Sequence, residues 1–139
     1  MEQQPFYMDQ IIVYKKGEET PMLISSHIPA GKDVEFNERM VYPEGIWNVL
    51  KLTFKVNAPV KGVVCHRKVY KLGICVNTED EPIGDFEPRE EPYFHLFPEV
   101  ETPSGFFVRG MFNVVLKFTD ATGNTIYTIK YPFEIVKKV

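Results

Sequence analysis

Cys65, His66, Cys75 and His95 of this 139-residue sequence have the atom types that zinc binding and nucleophilic catalysis use. Thiolate and imidazole are usual zinc ligands, but the spacing matches no common zinc pattern. Cys65 and His66 are also adjacent, so on a strand their side chains leave opposite faces. No glycine-rich phosphate loop, Cys-x-x-Cys, His-Glu-x-x-His or Gly-x-Ser-x-Gly motif occurs. The sequence therefore predicts no catalytic residue, no metal site, no cofactor and no enzyme.

The elements that position any site are predicted to be strands, because apolar residues recur at every second position. Between positions 50 and 56, leucine, phenylalanine and valine alternate with lysine and threonine. Segments 106–118 and 127–135 have the same period, and Pro132 indicates an edge strand because proline has no ladder donor. Shorter strands are predicted at 10–15, 21–25, 33–37, 62–70, 73–77 and 92–97. Segment 79–91 is predicted to be a long connection with a turn of helix.

Composition limits the class of protein. The 139 residues, 44% of them hydrophobic, suffice for one packed core, so we expect a single domain over residues 1–139. About nine short strands predict an all-β sandwich or barrel. The N-terminus has neither a basic start nor an apolar run, which predicts a cytoplasmic protein. The net charge of -3 gives no general reason to bind nucleic acid.

Charge is segregated along the chain. Between Glu79 and Glu101 there are nine acidic residues and one basic residue, Arg89, a local net charge of -8. Such a segment either forms an ordinary solvated surface or speeds the encounter with a basic partner.

Several motifs resemble the immunoglobulin-like domain of Rho GDP-dissociation inhibitors. They are FKVNAPVKG, VYKLG and the run from IGDFEPREEPYF to FNVVLKFTD. The most specific part is a series of fourteen residues in order: Gly84, Phe86, Pro88, Arg89, Glu91, Tyr93, Pro98, Pro103, Gly105, Arg109, Gly110, Phe118, Thr119 and Asp120. The resemblance extends from about Gln10 to Lys138. It implies an immunoglobulin-like β-sandwich of about nine antiparallel strands with a lipid pocket between the sheets.

The resemblance also implies a function and its residues. Family members take the geranylgeranyl group of a GDP-bound Rho-family GTPase into the pocket, in competition with the membrane. The positions that match lipid-contacting residues are Val13, Met40, Leu50, Phe107, Val114 and Tyr131. Met40 replaces an aromatic residue and Tyr131 a tryptophan, so we expect a different lipid preference. Contacts to the GTPase are expected from Asp120 and from Glu90, Glu91, Glu99 and Glu101.

The N-terminus departs from the family pattern, and two alternative functions stay open. Family members have a long N-terminal arm on the GTPase switches, whereas here the first strand is predicted within ten residues, so we expect lipid shielding with weak inhibition of GDP release. The alternatives are a general prenyl-protein carrier resembling the delta subunit of phosphodiesterase, and a structural or adhesion-type sandwich without a ligand. The absence of a signal peptide and a disulfide scaffold disfavours the adhesion type.

Overall fold

The computed structural model describes residues 4–25, 28–38, 40–102 and 109–137, and eleven strands lie within them. In chain order they are β1 (Phe6–Lys15), β2 (Leu23–Ser25), β3 (Asp33–Glu35), β4 (Met40–Pro43), β5 (Trp47–Val56), β6 (Val60–Lys71), β7 (Ile74–Phe86), β8 (Tyr93–Leu96), β9 (Val100–Glu101), β10 (Gly110–Thr119) and β11 (Thr125–Val136). Within those ranges no helix is long and apolar enough to cross a bilayer.

The strands form two sheets that enclose a common hydrophobic core. The first sheet has the order β2-β1-β5-β8, with β9 beside the start of β5. The second has the order β3-β11-β10-β6-β7, with β4 beside the end of β11. The predicted all-β, immunoglobulin-like sandwich is confirmed. The strand count was too low, because β4 and β9 are short, and β3 and β4 pair with β11 in parallel rather than antiparallel fashion.

Pro132 does not mark an edge strand, which corrects the prediction. β11 pairs with β10 on one side and with β3 and β4 on the other. The β3 pairing ends at Lys130 and the β4 pairing begins at Phe133. Pro132 therefore lies where neither short strand pairs, and its missing N–H costs the sheet no bond on that side.

The predicted connection at 79–91 is also wrong in its first half. β7 continues through the acidic residues to Phe86, which pairs with Val60 of β6. The β6–β7 hairpin turns at Leu72 and Gly73, whose φ angles of 51° and 78° match the type I′ turn that follows the twist of paired strands. Opposite charges across the hairpin, such as Arg67 and Glu79, stabilise the strand where acidic composition alone suggested a loop.

The core follows the predicted alternation, and one end of the sandwich is filled with aromatic rings. The even-numbered residues of β5 from 50 to 56 are buried, as are those of β10 from 112 to 118. At one end Phe6 packs against Phe54 and Phe118, with ring centroids 5.0 and 5.2 Å apart, and Tyr127 completes the group. We call this part, formed by Phe6, Phe54, Phe118 and Tyr127, the aromatic end.

Candidate functional site

A cavity of about 560 Å³ lies between the sheets at the end away from the aromatic end. This volume falls within the range of about 300–1,000 Å³ that is typical of small-ligand sites. The lining residues come from eight strands and from the segments that flank β9: Val13, Tyr42, Asn48, Leu50, Arg67, Val69, Lys71, Val76, Asn77, Glu79, Phe97, Pro98, Val100, Glu101, Thr102, Phe112, Val114, Tyr131, Phe133 and Ile135. None of the four residues of the aromatic end is among them.

The cavity opens at one long side of the sandwich. Its exposed lining residues are on β7 or in the segment 98–101, which are the matching edges of the two sheets. Nearer the aromatic end these edges are joined, because His95 Nε2 of β8 lies 2.9 Å from Glu81 Oε2 of β7. The mouth is therefore the gap between β7 and residues 98–101 next to this contact.

The inner wall is apolar and aromatic. Phe112 stacks on Phe133 at 5.0 Å, and Tyr131 stacks on Phe36 at 5.2 Å. Burial raises the pKa of Tyr131 and of Tyr42 well above the ordinary tyrosine value, so both phenols are neutral at physiological pH. An apolar chain can pack against such a wall, and its binding does not require a charged side chain of the wall to lose water.

Polar groups are concentrated near the mouth. On the first sheet, Asn48 Nδ2 donates to Thr102 Oγ1 at 2.8 Å. On the second sheet, Arg67 Nη2 donates to Glu79 Oε2 at 3.1 Å. The cavity is thus amphipathic, with an apolar interior and a polar entrance.

Four of the six positions predicted to contact lipid lie on the cavity wall: Val13, Leu50, Val114 and Tyr131. Met40 begins β4 and is buried in the core, but it is not among the residues that line the cavity. Phe107 is outside the described residues.

The five positions predicted to contact a GTPase fall into two groups. Glu101 lines the cavity and Glu99 lies beside its mouth, where it pairs with Lys16 at 3.2 Å. Glu90 and Glu91 belong to the β7–β8 loop, which is held at the other end by a bond from Arg89 N to Val56 O. Asp120 is also at that end, six residues beyond Val114, or about 20 Å along the strand. The structure therefore does not form one continuous acidic surface from this set.

Asp120 organises the turn between β10 and β11. Its Oδ1 accepts bonds from Thr122 N, Thr122 Oγ1 and Asn124 N, at 3.0, 2.6 and 3.1 Å. The bond from the Thr122 side chain is the main cause of a lowered pKa, so the Asp120 carboxylate is ionised well below neutral pH. None of these bonds involves Oδ2, which leaves that oxygen available to a donor from outside the turn.

The side chains of Cys65, Cys75, His66 and His95 lie apart from one another. Cys65 is buried in the core and Cys75 is exposed, and both are free thiols. His66 contacts Asp80 and Thr119 on the outer face of the second sheet, whereas His95 contacts Glu81. In the part of the chain that the structure describes, no three potential metal ligands come together.

Comparison with known proteins places these features in a family. The family model described as RHO protein GDP dissociation inhibitor matches residues 8–138. The chain belongs to the Rho GDP-dissociation inhibitor family. Members of this family regulate by binding and are not enzymes, as the sequence predicted.

Individual members of this family are similar to the chain in sequence. Rho GDP-dissociation inhibitor 1 of Arabidopsis thaliana is 38% identical over 105 residues, which are 69% of this chain and 44% of that protein. The Rho GDP-dissociation inhibitor of Saccharomyces cerevisiae is 33% identical over 113 residues, 78% of this chain and 53% of that protein. Human Rho GDP-dissociation inhibitor 1 is 32% identical over 84 residues, 60% of this chain and 41% of that protein. The chain thus spans about half the length of the curated relatives that it matches.

Sequence reasoning missed several polar residues of the cavity in this Rho GDP-dissociation inhibitor domain, among them Arg67, Asn48 and Thr102. A signal existed for Arg67, because it shares its parity on β6 with the buried Val63, Cys65 and Val69. A charged residue in such a series predicts a cavity or a buried ion pair at that point. Asn48 gave the same signal, because it shares its parity on β5 with the buried Leu50, Leu52 and Phe54. Thr102 had no comparable signal, since its bond to Asn48 joins positions 54 residues apart.

Proposed function

We propose that this chain binds the prenyl group of a Rho-family GTPase in the cavity, withdraws the GTPase from membranes and keeps it soluble in the cytosol. The single observation that carries the proposal is an apolar cavity of about 560 Å³ between the sheets of a domain that belongs to the Rho GDP-dissociation inhibitor family. The GDP-bound form of the GTPase and the geranylgeranyl group are part of the proposal.

Transfer of the lipid alone does not explain extraction. Burying an apolar chain is worth about 0.8 kcal/mol per CH₂ relative to water, but a prenyl group in a bilayer is already buried. Contacts to the polypeptide must therefore add to the free energy of binding. Glu99 and Glu101 lie beside the mouth, where basic residues preceding a prenylated cysteine would emerge. Asp120 and the β7–β8 loop are about 20 Å away and would face the folded GTPase domain.

Binding of the lipid in the cavity is tested with a fluorescent geranylgeranyl-cysteine peptide. We expect one-to-one binding to the prenylated peptide, weaker binding of a farnesyl peptide because it buries one isoprene unit less, and no binding of the unprenylated peptide. Val114→Trp fills the cavity and should reduce the affinity at least tenfold. Val115→Trp adds the same side chain to the opposite face of β10 and serves as the matched control. The measurement is fluorescence anisotropy.

The outcomes separate the alternatives. Equal binding of prenylated and unprenylated peptides would refute the lipid site and favour a sandwich without a ligand. Equal losses of affinity for the prenylated peptide in Val114→Trp and Val115→Trp would show that binding occurs outside the cavity. Release of many unrelated prenylated proteins from liposomes, with no preference for Rho-type GTPases, would identify a general prenyl carrier instead.

The acidic residues at the mouth are expected to affect the rate of association with the GTPase. Glu99→Gln with Glu101→Gln should slow association with a prenylated GTPase severalfold at low salt, because rim charges steer an encounter more than they hold a complex. This difference in association rate should disappear above about 0.3 M salt, where charges are screened. Glu90→Gln with Glu91→Gln removes the same charge far from the mouth and should leave binding of the isolated prenyl peptide unchanged. Stopped-flow fluorescence measures the rates, and an unchanged rate of association with the prenylated GTPase after Glu99→Gln with Glu101→Gln would contradict this prediction.

A further inference from the structure

Arg67 is a cation on the core-facing side of a strand. It shares one face of β6 with Val63, Cys65 and Val69, which are all buried. Its side chain is only 18% exposed and forms part of the cavity wall. A guanidinium in this position is costly unless acceptors surround it.

The hydrogen bonding of Arg67 is incomplete. The guanidinium has five N–H donors, and among the described residues its one bond runs from Nη2 to Glu79 Oε2. Nε is buried and has no acceptor in the part of the chain that the structure describes. Glu79 balances the positive charge, so the unmet requirement is for a hydrogen-bond acceptor rather than for a further negative charge.

The position of Arg67 along the cavity indicates which part of a ligand it would meet. On the second sheet the lining passes from β7 at the mouth, through Arg67 and Val69 of β6, to Val114 of β10 and Tyr131 of β11. Polarity decreases along this path. An apolar chain against β10 and β11 would therefore leave its polar end beside β6 and β7.

We infer that Arg67 binds a carbonyl oxygen at the polar end of an apolar ligand, which, given the proposed function, is the carboxyl-terminal carbonyl of a prenylated cysteine. The guanidinium donates from the nitrogens that Glu79 does not use, after a small rotation that brings Nε to the cavity surface. Arg67 thereby fixes how far the lipid enters and distinguishes a prenyl-cysteine from a plain prenyl chain.

Two probes with the same tail test this inference. One is N-acetyl-S-geranylgeranyl-cysteine methyl ester, and the other is geranylgeranyl methyl thioether, which has no carbonyl. We expect the ester to displace the fluorescent peptide at a concentration about tenfold or more below that of the thioether, as is typical of a hydrogen bond from a charged donor. Arg67→Met, which keeps an apolar stem of similar length, should abolish this preference and leave the affinity for the thioether unchanged.

A neighbouring residue gives the control. Lys68→Met removes one positive charge from the exposed outer face of the same strand and should keep the tenfold preference. The thioether also reports whether the Arg67→Met cavity is intact, so misfolding of that variant cannot imitate the expected result.

The outcomes distinguish this inference from the proposed function. Binding of both probes with equal affinity to the unsubstituted protein would overturn the inference alone. Binding of neither probe would overturn the proposed function itself. Palmitate offers a carboxylate on an unbranched chain, and displacement by palmitate at a lower concentration than by the ester would overturn the assignment of the head group to a prenylated cysteine.

Discussion

Cys65 and Cys75 lie on adjacent strands in opposite environments, and the difference predicts their reactivity. Burial raises the pKa of the Cys65 thiol to about 12, whereas Cys75 is exposed on β7. Because the thiolate is the reactive form, a thiol reagent at pH 8 should modify one cysteine per folded chain and two after denaturation. Cys75→Ser should remove the fast reaction. Rapid labelling of the folded Cys75→Ser variant would show that Cys65 is accessible.

Single residues also show how far the sequence predicts the site. Alternation identified the buried faces of β5, β10 and β11, and the family resemblance selected Val13, Leu50, Val114 and Tyr131, which line the cavity. Alternation cannot distinguish a filled core from a hollow one, because an apolar side chain faces inward in both. The cavity depends on how far apart the sheets stand at one end, which is a property of the assembled sandwich rather than of any strand.

At the scale of elements, the β6–β7 hairpin contains a local conflict between sequence and conformation. Leu72 has a φ of 51° in the turn and is 91% exposed. A left-handed conformation costs a residue such as leucine about 1–2 kcal/mol, and asparagine tolerates it. Leu72→Asn should therefore stabilise the protein by about 1 kcal/mol and raise its melting temperature by a few degrees. Denaturation in guanidinium chloride measures the gain.

The control for the hairpin separates backbone strain from exposure. Leu72→Ala also removes an exposed apolar side chain, but alanine lacks the side-chain amide that lets asparagine form a local hydrogen bond in the left-handed conformation, so it should give little stabilisation. Equal gains from alanine and asparagine would assign the effect to loss of the exposed leucine instead.

The strand assignments failed where pairing between strands outweighed local composition. The acidic stretch of β7 suggested a loop, but the bases of β6 and His95 supply partners for Glu79, Asp80 and Glu81. Pro132 suggested an edge, but it fits between the ends of two short strands. Both conformations depend on residues that are distant in sequence, so they cannot be predicted from the sequence of one strand alone.

At the scale of the whole molecule, the two ends of the sandwich should differ in how they respond to loss of side-chain volume. Val63 is buried in solid core, and Val114 borders the cavity. Val63→Ala removes apolar contacts and opens a new void, with an expected cost of about 2.5 kcal/mol, whereas Val114→Ala enlarges an existing space at a cost of about 1 kcal/mol. Chemical denaturation of the two variants measures the difference. Equal costs would mean that the cavity is closed by repacking in solution.

The aromatic end has a consequence for how this domain can change over evolutionary time. Most substitutions destabilise a protein by about 1 kcal/mol, and a protein tolerates them only while its total stability stays above a threshold. Because Phe6, Phe54, Phe118 and Tyr127 pack without lining the cavity, much of the folding free energy is independent of the residues that meet a ligand. Duplicated copies of such a gene can therefore accumulate cavity substitutions and diverge in their cargo while the sandwich stays folded.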